Sequence, residues 1–223
     1  MIRNIYDAIY NNLIGGGAYL RIIKGCAVTV LVFVLGLCVA CLFAAVLSFF
    51  RTSGKKWLRG IGTAVTFLMK GTPLYLALLL WYYTFLGGMH RGGLFIAVLV
   101  FGLYGGGHLS DILSRGIKKE TGRRNAAVNR RARREFFSAL LPFVTEQSLF
   151  EMKRLLCMLL QMSSLVGLIG VTDLTQVMLA NGLKTQYPFF ALACAVIFYL
   201  LLQLLLEAVF SRIGKNLTGE EEE

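Results

Sequence analysis

The sequence predicts an all-α integral membrane protein of five transmembrane helices, with its N-terminus outside and its C-terminus in the cytoplasm. Three observations carry this expectation. Of 223 residues, 57% are hydrophobic and only 16% charged, against about 25% charged in an ordinary soluble domain. Five uncharged stretches are each long enough to cross a hydrocarbon core of about 30 Å. The 23 Lys and Arg residues fall between those stretches and gather on alternate sides, the pattern that sets membrane topology. Collagen-like, disordered and disulfide-rich secreted chains are excluded by the same composition. Basic residues confined to the loops account for the net charge of +11 without a nucleic-acid partner.

Gly25 to Phe50 carries no charge for 26 residues, about 39 Å of helix, which exceeds the bilayer core and leaves room for tilt. It begins too late and runs too long for a cleaved signal peptide. Uncharged stretches recur at Gly71 to Met89, Gly92 to Ser110, Leu155 to Thr172 and Thr185 to Leu206. With their flanks, the spans cover about 25–50, 71–89, 92–114, 150–172 and 185–210 of a single domain, 1–223, with a long loop at 115–149. Ile61 to Met69 is cut off by Lys70, Gly71 and Pro73 and reads as the cytoplasmic lead-in to the second span, bent at the proline. Phe136 to Thr145 contains Pro142 and reads as an interfacial elbow.

Orientation follows from the basic residues. Apart from Lys70, which stands at a span end, seventeen lie on the side holding Arg51 to Arg59, Arg115 to Arg154, and Arg212 with Lys215, and five on the other: Arg3, Arg21, Lys24, Arg91 and Lys184. The richer side is cytoplasmic. Glu220 to Glu223 end the chain as a solvated acidic tail. Cys26, Cys38, Cys41, Cys157 and Cys194 are odd in number and scattered through apolar segments, so no disulfide framework is implied. The C-x-x-C of Cys38 and Cys41 lacks further metal ligands.

Two spans carry small residues at every fourth position, Gly36, Ala40, Ala44 and Ser48 in the first, and Gly102, Gly106, Ser110 and Ser114 in the third. Such faces let helices approach closely in lipid. The long loop contains NAAVNRRARREFF at Asn125 to Phe137, which is rich in helix formers and reads as a short surface helix. From charge alone, a basic segment resting on anionic lipid heads is an equal reading.

Five motifs then occur along the chain. The first span has Gly25, Thr29 and Gly36, and exits through Arg51 and Ser53. MKGTPLYLALLLWYY at Met69 to Tyr83 resembles R-G-T-P-L, with Lys70 for the arginine. GGGHLSDILSRGI at Gly105 to Ile117 resembles S-G-A-Y-L-A-E-I-x-R-G-G-I, with His108 for the tyrosine and Asp111 for the glutamate. SSLVGLIGVTDLT at Ser163 to Thr175 resembles T-S-L-x-S-V-I-G-V-P-E-L-T. An E-A-A…G…L-P pattern falls on Asn125, Ala126, Ala127, Arg131, Leu141 and Pro142, with Asn125 for the glutamate and Arg131 for the glycine. From about Gly25 to Leu217 the chain thus resembles the permease subunits of polar amino acid ABC importers, of the histidine, glutamine and arginine type.

That resemblance implies a type I ABC importer permease fold in a bacterial cytoplasmic membrane, with a cytoplasmic coupling helix at Arg123 to Phe137 docking on an ATP-binding cassette ATPase. The implied partners are the ATPase subunits, a second permease subunit as homodimer or heterodimer, an extracytoplasmic solute-binding protein and the lipid bilayer, with no cofactor. No G-x-x-x-x-G-K-[ST] occurs in the chain, so it has no loop to cradle ATP phosphates and draws its energy from a partner. A degenerate paralogue acting as a membrane scaffold is the alternative raised by Asn125 and Arg131. A membrane-embedded enzyme would want paired acids, or His with Asp, at one face, and His90 and His108 sit in no such pattern.

Side-chain expectations follow. Thr72, Ser110, Ser163 and Ser164, with the backbone at Gly105 to Gly107, are the candidate solute path. The hydroxyls of Thr72, Ser163 and Ser164 compete for that role with bonds to their own helix backbone. Lys70 reads first as a snorkelling side chain and second as a gate. Asp111 is expected to pair with Arg115 one turn on, and Glu207 to pair with Arg212 or sit at the interface.

Overall fold

In hydrocarbon the backbone of an apolar run has no water to bond, so it satisfies its own N–H and C=O groups as a helix. The computed structural model describes residues 9–86, 92–123 and 146–218, and every regular element among them is helical. A π turn at Tyr10–Ile14 and a 3-10 turn at Gly15–Gly17 lead into α1, Ala18–Arg51. Two elements follow, α2 at Lys56–Gly71 and α3 at Leu74–Leu86, bent from one another by 100°. The bend sits where Thr72 is extended ahead of Pro73, as the steric demand of a proline on its predecessor requires. The remaining helices are α4 (Gly93–Arg123), α5 (Glu146–Met162), α6 (Leu174–Thr185) and α7 (Pro188–Thr218), with a 3-10 segment, Ser163–Ile169, between α5 and α6.

Among the described residues, four helical stretches are long and apolar enough to cross a membrane: Tyr10–Arg51, Gly93–Ile117, Phe150–Ile169 and Pro188–Arg212. The α2–α3 pair passes the same test jointly, so the count is four, or five if the bent pair is one span. The chain is an α-helical, multi-pass membrane protein. Its expected fourth span, 150–172, is not one continuous α-helix. The Ser163 hydroxyl donates to the Leu160 carbonyl at 2.6 Å and Ser164 to Gln161 at 2.9 Å. These bonds compete with the helical ladder where the chain tightens to 3-10 geometry. Gly170, at φ 78°, then closes the segment in a left-handed conformation that suits glycine. The last span begins at Pro188 rather than 185, with proline at its first helical position.

The two small-residue stripes pack on each other. A Cβ on Gly102 would run into the Val39 side chain, and one on Gly106 would lie 2.8 Å from Phe43 Cβ and 3.1 Å from the Ala40 carbonyl. Side chains are excluded there, and the closeness lets dispersion hold α1 against α4. Around this seam Phe33, Leu78, Phe101, Leu159 and Val166 form the main core. A second, smaller core joins α1, α6 and α7 through Ile22, Leu174, Met178 and Ala191. Cys38 and Cys41 are exposed on α1. The coupling residues Asn125, Ala126, Ala127, Arg131, Leu141 and Pro142, together with His90 and the elbow at 136–145, lie outside the described residues.

Candidate functional site

Three polar assemblies interrupt the apolar bundle. The first sits where α1 and α2 end. Arg51, in the last turn of α1, reaches Asp111 of α4 at 2.5 Å, and Lys70, in the last turn of α2, bonds the other carboxylate oxygen. The Asp111 side chain is only 16% exposed. Both cations occupy helix C-termini, where the macrodipole favours positive charge. Ser110 ties the cluster together: it receives a hydrogen bond from Arg51 at 3.2 Å, its hydroxyl meets that of Thr66 at 3.3 Å, and its carbonyl accepts from Ser48 at 3.3 Å. The expected Asp111–Arg115 pair is therefore not formed. Asp111 is held by two helix ends, while Arg115 reaches across to Glu151 of α5 at 2.5 Å.

The second assembly is a polar ladder between α5 and α7. Lys153 lies 3.6 Å from Glu207. Gln203 donates to Glu207 at 3.3 Å, and Gln161 donates to Gln203 at 2.8 Å. Glu207 thus finds its cation on α5, not on Arg212 of its own helix. The pair is more than a third exposed on both sides and adds little to stability. Its position matters more, because polar side chains at membrane depth almost always face a cavity or a partner rather than lipid. Gln161 is exposed on the outer surface of the described bundle.

The sequence-nominated hydroxyls fall in different surroundings. Thr72 is exposed at the α2–α3 bend, with its hydroxyl on the Leu68 carbonyl at 2.8 Å. Ser110 and Ser163 are fully buried, the former in the ion cluster. Ser164, half-buried, bonds the carbonyl of Gln161 and so borders the ladder. Gly105, Gly106 and Gly107 are buried against α1, α2 and α5, so their backbone is packed within the chain rather than open to a path. Sequence reasoning passed over Gln203, because nothing in a linear reading pairs it with a residue 42 positions away.

The third assembly lies at the opposite end of α1. A cleft of about 220 Å³ is lined by Arg21, Thr172, Gln176, Asn181 and Lys184, among others. Arg21 donates to Asn181 at 3.1 Å and to the Gly16 carbonyl at 3.1 Å. Behind it, Asp173 caps α6 by accepting from the Gln176 amide at 3.0 Å, and Tyr199 donates to its other oxygen at 3.3 Å. The D-x-x-Q spacing of Asp173 and Gln176 was the signal for this helix start. Burial pushes the Asp173 carboxyl above its ordinary range, opposed by bonds from Gln176, Thr175 and Tyr199. The folded state therefore holds this proton more tightly than the unfolded chain. Its contribution is fully present below the ordinary carboxylate value and is lost as pH rises through the raised one. Asp173→Asn keeps a capping side chain and should improve thermal stability at neutral pH relative to acidic pH, compared with the parent; an unchanged pH dependence would contradict this role for Asp173.

No protein-family model and no curated protein matches the sequence. Among solved structures, the crystal structure of an amino acid ABC transporter with histidines superposes with a TM-score of 0.72. The chain shares that transporter's fold. The match covers 89% of this chain and 94% of the other, at 18% sequence identity.

Proposed function

We propose that this chain is the membrane permease subunit of an ATP-driven importer that moves an amino acid across the cytoplasmic membrane. The observation that carries the reading is the fold shared with an amino acid ABC transporter over nearly the whole of both chains. The motif order supports it independently. Five spans with the N-terminus outside are the topology that fits the seventeen-to-five division of basic residues. The chain lacks a phosphate-cradling loop, so ATP hydrolysis belongs to a partner ATPase that docks on Arg123 to Phe137.

In this reading the α5–α7 ladder lines the solute path, facing a second permease subunit. A zwitterion crossing hydrocarbon needs its ammonium and carboxylate met by fixed groups, since one bare charge costs about 2.5–3.5 kcal/mol even on insertion scales. Gln161 and Gln203 offer amide donors and acceptors, Ser164 a hydroxyl, and Lys153 with Glu207 one charge of each sign. No group there is so strongly bound that it would trap the solute, which suits passage better than storage. Closure of the ATPase dimer moves the coupling helices and re-packs the subunits, exposing the path to each side in turn.

The reading is tested by co-purification. The chain, co-expressed with a candidate ATP-binding cassette ATPase and a candidate solute-binding protein, should be recovered as a stable complex whose ATP hydrolysis rises with the loaded binding protein. A chain that retains no ATPase, or whose complex ignores the loaded binding protein, would favour the scaffold reading raised by Asn125 and Arg131.

A further inference from the structure

Helix α2 presents three distinct stripes. Gly62 and Thr66, with half-buried Leu58 and Met69, face α1 and α4. Trp57, Ile61, Ala64 and Leu68, spaced by four, three and four, form an exposed apolar stripe, with Trp57 63% exposed. Lys56, Arg59 and Thr63 lie between these two, with Lys55 just ahead of the helix and Lys70 at its far end, and the exposed Phe67 follows Thr63 one turn on, so the basic character of this face is confined to its N-terminal end. A soluble helix buries its apolar stripe; this one buries a different face and leaves the apolar one open. The 100° bend to α3 sets α2 close to the membrane plane if α3 follows the direction of a span. Such a helix has an apolar side for acyl chains and a basic side for headgroups.

The charges point to what covers that basic side. Lys55, Lys56 and Arg59 are exposed, and none takes part in the four ion pairs found among the described residues. They also cluster at the N-terminal end of α2, where the helix dipole disfavours cations, so the fold's own electrostatics does not account for them. The geometry points to α2 as an interfacial helix that binds anionic phospholipid headgroups of the adjoining leaflet through Lys55, Lys56 and Arg59, with Trp57 and Ile61 seated among the acyl chains. Its far end carries Lys70 into the Asp111 cluster.

Trp57 is a built-in reporter, since the chain has two tryptophans and Trp81→Phe leaves it alone. The full chain is reconstituted in nanodiscs carrying equal mole fractions of brominated-chain phosphatidylglycerol or brominated-chain phosphatidylcholine, and quenching of Trp57 is compared. The anionic lipid should quench about twofold more strongly at low salt. The excess should vanish in Lys55→Gln/Lys56→Gln/Arg59→Gln and shrink in the unsubstituted protein at high ionic strength. Equal quenching by the two lipids, or an anionic excess that survives both the substitutions and salt, overturns the proposal. The salt series needs no substitution of the basic residues, so the result stands even if the triple variant fails to fold.

Discussion

Replacing Asp111 by alanine should destabilise the protein by about 2–3 kcal/mol, somewhat less than the penalty for stripping one partner from a fully buried ion pair, because the three side chains are part-buried. Two cations share that carboxylate, and its side chain is only 16% exposed. Its removal leaves Arg51 and Lys70 facing each other in a packed setting without a counter-charge. The effect should appear as a large loss of thermal stability and of recovered protein in detergent. The triple change Arg51→Met, Lys70→Met and Asp111→Leu should recover most of that loss, because apolar replacement of a whole buried cluster is often neutral. If the single variant is as stable as the parent, the cluster is not a structural tie.

The second large effect concerns coupling. Ala127→Glu, in the segment that resembles the family's coupling helix, should abolish hydrolysis stimulated by the loaded binding protein, while the protein still inserts and retains its helicity. An alanine on a docking face marks close contact, and a carboxylate there brings bulk and an unpaired charge into an interface. Basal hydrolysis by the ATPase itself should persist. Stimulated hydrolysis at the parental level would leave the likeness as one of fold alone.

How far these features could be read from the sequence depends on the range over which each is determined. The α1–α4 seam was legible because a period of four small residues is a local pattern on each helix, and two such patterns have an obvious use for each other. The bend at Pro73 was legible for the same reason, since the proline imposes it on its own neighbours. The break at Ser163 was not, because a hydropathy reading treats serine as a mildly polar residue and takes no account of its bond to the carbonyl three residues back. Helix α6 lay in what reads as a loop between two apolar runs, although Asp173 marks its start.

Charge partners were the least legible. Asp111 has a cation one turn away in sequence, and the local rule selects Arg115. The fold instead brings two helix ends to it, from 41 and 60 residues away. Glu207 shows the same reversal, with Lys153 on a different helix replacing Arg212 on its own. The hydroxyls nominated for the path were chosen by chemical type, and the structure separates them by burial: Ser110 went to the ion cluster, and Ser164 to the ladder's edge.

The most direct measurement is amino acid uptake into proteoliposomes holding the complete complex, with ATP on the ATPase side and loaded binding protein on the other. The account predicts ATP-dependent accumulation of at least one polar amino acid, falling about tenfold in Gln161→Leu/Gln203→Leu as two hydrogen-bonding groups leave the path. No accumulation of any of the twenty amino acids by the unsubstituted complex, despite ATP hydrolysis, would contradict it.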